Sequence, residues 1–206
     1  MTTTSLRNRD ATEARLIQAV GSVLAREGFA KIGVNTIARE ANVDKVLIYR
    51  YFDGLSGLLT AWAQSGAFWP PVQELIAASP ANLMELPFAE RYALFFVHFI
   101  DSLRSRPLTI EILAGEITHR NALTEILEAQ REQWGEEVSR TLAMAADYQQ
   151  HPELIPLTNL LNAGVQNLLI RSRSIRYFGG LDIQSDEGWT LIKESIQAMA
   201  RKLLAP

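Results

Sequence analysis

Apolar side chains recur at intervals of three and four residues along almost the whole chain, and no segment alternates with period two between hairpin turns. A helix buries one stripe of its surface at that spacing, so the chain reads as all-helical, with no strand expected. No stretch approaches the roughly 18 uncharged apolar residues of a membrane span. The richest, residues 92–100, has His98 inside it and reads as a buried helix. With 206 residues, 48% of them hydrophobic, the chain can bury a substantial core, as one domain or as two. It has no cysteine, which excludes disulfides, thiolate metal sites and cysteine nucleophiles. The first ten residues lack the apolar run of a secretory signal, so the expectation is a cytoplasmic protein with no membrane partner.

Turn residues cut the front of the chain into unusually short helices. The first is expected to open at Asp10, with Glu13 completing a capping box, and to bury Leu16, Val20, Val23 and Leu24 before Gly28 ends it. A short helix over 34–41 closes at Asn42, a residue that tolerates the left-handed conformation. Asp44 caps the next, over 45–52, and Asp53-Gly54 turns the chain again. Two such short helices cannot form a core alone. They must pack on the first helix and on a fourth over 55–69, which is a helix-turn-helix arrangement. Pro70 and Pro71 then break the chain. Beyond a loop at 79–87, the spacing predicts helices over 88–104, 108–118 and 121–146. A loop at His151–Pro156 and the pair Gly179-Gly180 bound two last helices, 157–177 and 186–204.

On the helix over 45–52, Ile48 and Phe52 point to the core and Lys45, Val46, Leu47, Tyr49 and Arg50 lie on the other side. The two exposed apolar residues either pack on a neighbour or meet thymine methyl groups in a major groove. Gly28-Phe29, Ile37-Ala38, Ala41 with Val43, Tyr49-x-Tyr51-Phe52 and Leu58-Leu59 follow one another at ordered spacing. In these residues the chain resembles the tetracycline-repressor (TetR) family of bacterial transcription factors. The resemblance implies a three-helix DNA-binding domain over 1–62 and a helical ligand-binding and dimerisation domain over 63–206. It also implies that the Tyr49 and Tyr51 hydroxyls and Thr36 meet backbone phosphates; a core place is the alternative for the tyrosines. Arg7 and Arg9 either reach DNA or form a solvated tail. The chain departs from the family pattern at Asn42 in the turn, at Gly33 where a hydroxyl cap is common, and at Leu55 where a lysine often supplies a phosphate contact. Charge agrees in sign, since the first 62 residues carry eight basic against six acidic side chains and the remainder twelve against seventeen.

The larger domain carries little family-specific sequence. Tyr92, Phe95, Phe96 and Phe99 share a stripe that Trp62, Phe68, Trp69 and Trp134 could join, either as plain core or as the wall of an effector cavity. His98 stands beside them. Asn159, Asn162 and Gln166 share one helix face, which is either solvated, at an interface, or turned inward to orient a ligand; the candidate effector residues are Trp62, Phe95, His98, Phe99, Trp134, Asn162 and Gln166. Arg171, Arg173 and Arg176 end that helix, where cations complement exposed carbonyls; a site for an anionic ligand is the alternative. Trp189, Ile192, Ile196, Met199 and Leu203 step by three and four along the last helix, and Leu161, Val165 and Leu168 keep the same rhythm in the one before. Two copies could join these seams in a four-helix bundle, as the resemblance also implies; an intramolecular pair is the alternative. His98, His119 and His151 show no metal-ligand spacing, Glu116 with His119 forms a single isolated Glu-x-x-His, and no phosphate-cradling loop occurs. The expectation is therefore no enzyme, no cofactor, no metal and no catalytic residue. The chain is expected to be a ligand-responsive regulator, most simply a repressor that binds a palindromic operator as a homodimer and leaves it for a small apolar or aromatic effector. The alternatives are a DNA-binding protein that recruits partners without a ligand, and a small helical enzyme or carrier.

Overall fold

A computed structural model describes residues 3–66, 68–77, 83–118, 120–142, 147 and 149–204. The helices are α1 Thr3–Glu27, α2 Val34–Glu40, α3 Val46–Phe52, α4 Leu55–Gln64, α5 Val72–Ala77, α6 Phe88–Arg104, α7 Pro107–Thr118 and α8 Ala122–Thr141, followed by α9 Leu154–Ser172 and α10 Asp186–Leu203. The chain forms two compact units, residues 1–69 with 107–132 and residues 70–106 with 133–206. The units do not follow the 62/63 boundary expected from the sequence, because α7 and the start of α8 return to the unit that holds the first four helices.

In the first unit the α1 stripe Leu16, Val20, Val23 and Leu24 is fully buried. The helix starts well before Asp10. Glu13 serves as the i+4 partner of Arg9 at 2.6 Å, which leaves no capping box. Gly28 at φ 74° ends the helix, and Asn42 takes the left-handed φ of 51° that joins α2 to α3. The Asp44 carboxylate accepts the Val46 N–H at 2.8 Å and so caps α3. α4 stops at Gln64 because Gly66 turns at φ 68°, ahead of the expected end at Trp69. α7 then lies close. The buried Thr109 hydroxyl donates to the Phe68 carbonyl, and Gly115 sits under the Phe29 ring. At the end of α7, Glu116 pairs with Arg131, yet burial raises its pKa above the ordinary carboxylate value despite that cation.

The second unit is built on α6 and α10. Their antiparallel contact is lined by the ion pairs Arg104–Asp186 at 2.6 Å, Asp101–Lys193 at 2.8 Å and Glu90–Arg201 at 2.8 Å. The cation beside Glu90 holds its pKa below the usual carboxylate range. α9 begins before Pro156, which falls in its first turn where a missing N–H is harmless, and it ends at Ser172 rather than 177. The residues after it correct the strand-free expectation. Tyr177–Phe178 and Leu181–Asp182 pair antiparallel, joined by Gly179 and Gly180 at φ 58° and 83°. Two successive positive-φ residues suit the tight turn whose twist matches a hairpin. The Ser185 hydroxyl accepts from Gly188 N at 3.0 Å and starts α10.

Candidate nucleic-acid interface and effector region

α3 is anchored by Ile48 and leaves one face open. Ile48 is fully buried and Phe52 half-buried, while Lys45, Val46, Tyr49 and Arg50 are exposed. Val46 at 60% and Tyr49 at 58% exposure are large apolar surfaces that nothing covers among the described residues. Leu47 and Thr36 are half-buried. Tyr51 is half-buried too, with the Arg9 guanidinium 5.1 Å from its ring centroid. Arg9 is thus engaged by Glu13 and Tyr51, and the side chain of Arg7 lies outside the described residues, as does His119. At the other end of α2, Arg26 binds Glu40 at 2.6 Å and tethers it to α1. α2 is therefore clamped to the first helix and α3 packs on α4 while the outer face of α3 stays open, the geometry in which a short helix can enter a groove.

The aromatic residues divide between the two units. Trp62 is buried in the first, stacked on Phe68 at 5.3 Å, and is a core residue there. In the second, Phe88, Tyr92, Phe96, Phe95, Phe99 and Trp134 form a continuous chain of ring contacts with centroids 5.1–5.7 Å apart. The Trp134 indole donates to the Pro70 carbonyl at 2.7 Å. His98 Nδ1 lies 2.8 Å from the Leu75 carbonyl, so backbone holds that edge of the ring. Phe95 also lines a small apolar cavity with Val72, Leu75 and Val138, of about 10 Å³, room for little more than one water-sized sphere. Asn162 and Gln166 are half-buried, whereas Asn159 is exposed and drops out of the inward face.

The α10 seam splits in two. Trp189, at 1% exposure, is sealed inside its own chain, donating to the Ile183 carbonyl at 2.8 Å beneath the Arg104 guanidinium. It is therefore not a surface another copy can reach, which corrects the interface expected from the sequence. Ile196 and Val165 are also largely buried within the chain. Both nevertheless line, with Ile192, Met199, Leu161 and Leu168, an open apolar groove of about 290 Å³ between α9 and α10, and Leu203 is exposed. The sequence reading missed Leu160, Gly164, Leu181, Leu191 and Ser195, which line the same groove. Leu160 and Leu191 are 70% and 55% exposed. The available signal was the pairs Leu191-Ile192 and Leu160-Leu161, which widen the apolar stripe beyond a single heptad-like seam. Among the described residues no helix is long and apolar enough to cross a membrane, and no cluster of His, Asp and Glu could hold a metal ion.

Residues 16–61 match the family model of the bacterial regulatory proteins of the tetR family. No curated protein matches the chain. Its fold is similar to that of the fatty acid degradation regulator FadR from Bacillus halodurans, at 16% identity over 94% of this chain and 96% of that one, with a TM-score of 0.62. It is similar also to a TetR family transcription regulator from Marinobacter aquaeolei, at 20% identity over 95% and 96% of the two chains and a TM-score of 0.61. RolR, solved in complex with the ligand resorcinol, shares 19% identity over 97% and 96% with a TM-score of 0.53. Residues 16–61 thus match the DNA-binding segment of the tetR family, and along nearly its whole length the chain has a fold similar to that of a solved TetR family transcription regulator.

Proposed function

We propose that the protein is a ligand-responsive repressor which binds a palindromic operator as a homodimer through α3 and leaves it when a small apolar or aromatic effector occupies the second unit. The observation that carries this reading is the uncovered face of α3, where Lys45, Val46, Tyr49 and Arg50 are exposed around the single anchor Ile48. Lys45, at the first turn, has the position that points deepest into a major groove and reads a base edge. Val46 and Leu47 meet thymine methyl groups. Tyr49, Tyr51, Thr36 and Arg50 serve the phosphates, with Tyr51 partly occupied by Arg9. The second copy docks on the groove between α9 and α10, which supplies the two-fold axis that a palindrome requires. Phe95, His98, Phe99, Trp134, Asn162 and Gln166 form the effector region.

The test is binding of the full chain to a library of half-site variants at two salt concentrations. Lys45→Ala is expected to lose about 1–3 kcal/mol at one base pair and to relax preference there. Tyr49→Phe should instead weaken binding to every sequence alike. A uniform loss for Lys45→Ala would remove its base-reading role, and wild-type binding without sequence preference would overturn the regulator reading.

A further inference from the structure

The inner stripe of α9 is apolar except at two points. Leu154, Val165 and Leu169 are buried on it, and Thr158 and Asn162 stand between them, one turn apart. At about 100° per residue, Asn162 lies on the flank of this stripe away from the groove lined by Leu160, Leu161, Gly164 and Leu168. Thr158 is met from α6, its hydroxyl 2.9 Å from that of Tyr92. Asn162 Oδ1, by contrast, is closed off from solvent and receives no hydrogen bond among the described residues. A buried acceptor left unmet carries the full cost of its lost hydration, so such atoms in folded proteins are nearly always satisfied. Tyr92 is also the point where the aromatic chain from Phe88 to Trp134 reaches α9. The aromatic chain thus reaches α9 at Thr158, one helical turn from the unmet Asn162 acceptor.

We propose that Asn162 Oδ1 is the acceptor for a hydroxyl or N–H group of the effector. The effector class is then a neutral molecule with a planar apolar body and a hydrogen-bond donor at its edge. A carboxylate is disfavoured, because it would set a second acceptor against Oδ1, and a plain hydrocarbon leaves the atom as it was. The proposal rests on the reading that the second unit holds the effector.

Binding of 4-ethylphenol, ethylbenzene and 4-ethylbenzoate to the full-length protein, measured by calorimetry, tests it. The phenol is expected to bind at least tenfold more tightly than either of the others. Asn162→Leu should bring the phenol down to the level of ethylbenzene, while the ligand-free variant melts no lower than wild type because an unmet acceptor has been removed. Asn162→Ala serves if the leucine variant does not fold, with the same loss of preference. The proposal is overturned by no measurable phenol binding, by equal affinity for phenol and ethylbenzene, by preference for the carboxylate, or by a preference that survives in both variants. A ligand-free Asn162→Leu that folds but melts lower also overturns it, since Oδ1 would already be satisfied. Release from operator DNA is read separately: phenol bound through Asn162 with DNA affinity unchanged upholds the acceptor and rejects the release mechanism.

Discussion

At Gly115 a β-carbon would stand 2.2 Å from the Phe29 ring, closer than any real contact. Phe29 is buried, so the ring has little room to yield. Gly115→Ala should destabilise the first unit by about 1–3 kcal/mol through overpacking. Pairing it with Phe29→Leu should recover part of that loss, because the smaller side chain vacates the space. Denaturant unfolding of the four proteins in the cycle measures the coupling; additivity within about 0.5 kcal/mol would show that the two residues do not share the site. Sequence reading reached one side of this contact only. Gly28 and Phe29 stood out as a helix end, and Asn42 as a left-handed cap, because each is set by the residues next to it. Gly115 sits inside a helix, and nothing local in the sequence marks a glycine whose reason lies 86 positions earlier.

The same division holds for elements. α2, α3, α6 and α10 fall within a residue of where caps and periodicity place them, since helix ends are decided by nearby chemistry. α5 and the hairpin were missed: α5 follows two prolines that suggested only a break, and strands two residues long have no periodicity to detect. α10 was placed correctly but its faces were merged. Its apolar residues serve two neighbours, so one heptad-like rhythm covers Trp189, which turns inward, and Ile192, Ile196 and Met199, which line the groove. Two substitutions separate these faces. Leu191→Glu places a charge on the exposed side and should convert a dimer to a folded monomer, with helix content retained by circular dichroism and the mass halved in sedimentation. Trp189→Glu buries an unpaired charge inside the chain and should unfold it. A Leu191→Glu protein that remains a dimer of unchanged affinity would place the two-fold contact elsewhere.

On the scale of the whole molecule, the boundary at 62/63 expected from the sequence does not separate what folds together. The chain passes between its compact units after Trp69, after Arg106 and inside α8 after Glu132. Repeated crossings of this kind are invisible to composition or periodicity, because they depend on which distant helix covers an exposed face. In the first unit that helix is α7. Its Leu108 approaches Gly21, Thr109 donates to the Phe68 carbonyl, and Gly115 closes over Phe29. A fragment of residues 1–62 would keep α1 to most of α4 yet expose the surfaces that α7 covers, and small helical units have little stability to lose. It should show reduced helix content and no cooperative thermal transition, whereas a fragment of residues 1–132, which retains all of the first unit, should unfold cooperatively. Circular dichroism melts of both fragments beside the full chain decide the point. If residues 1–62 alone melt as sharply and as high as the longer fragment, α7 contributes nothing to the stability of the reading head, and the units divide where the sequence first suggested.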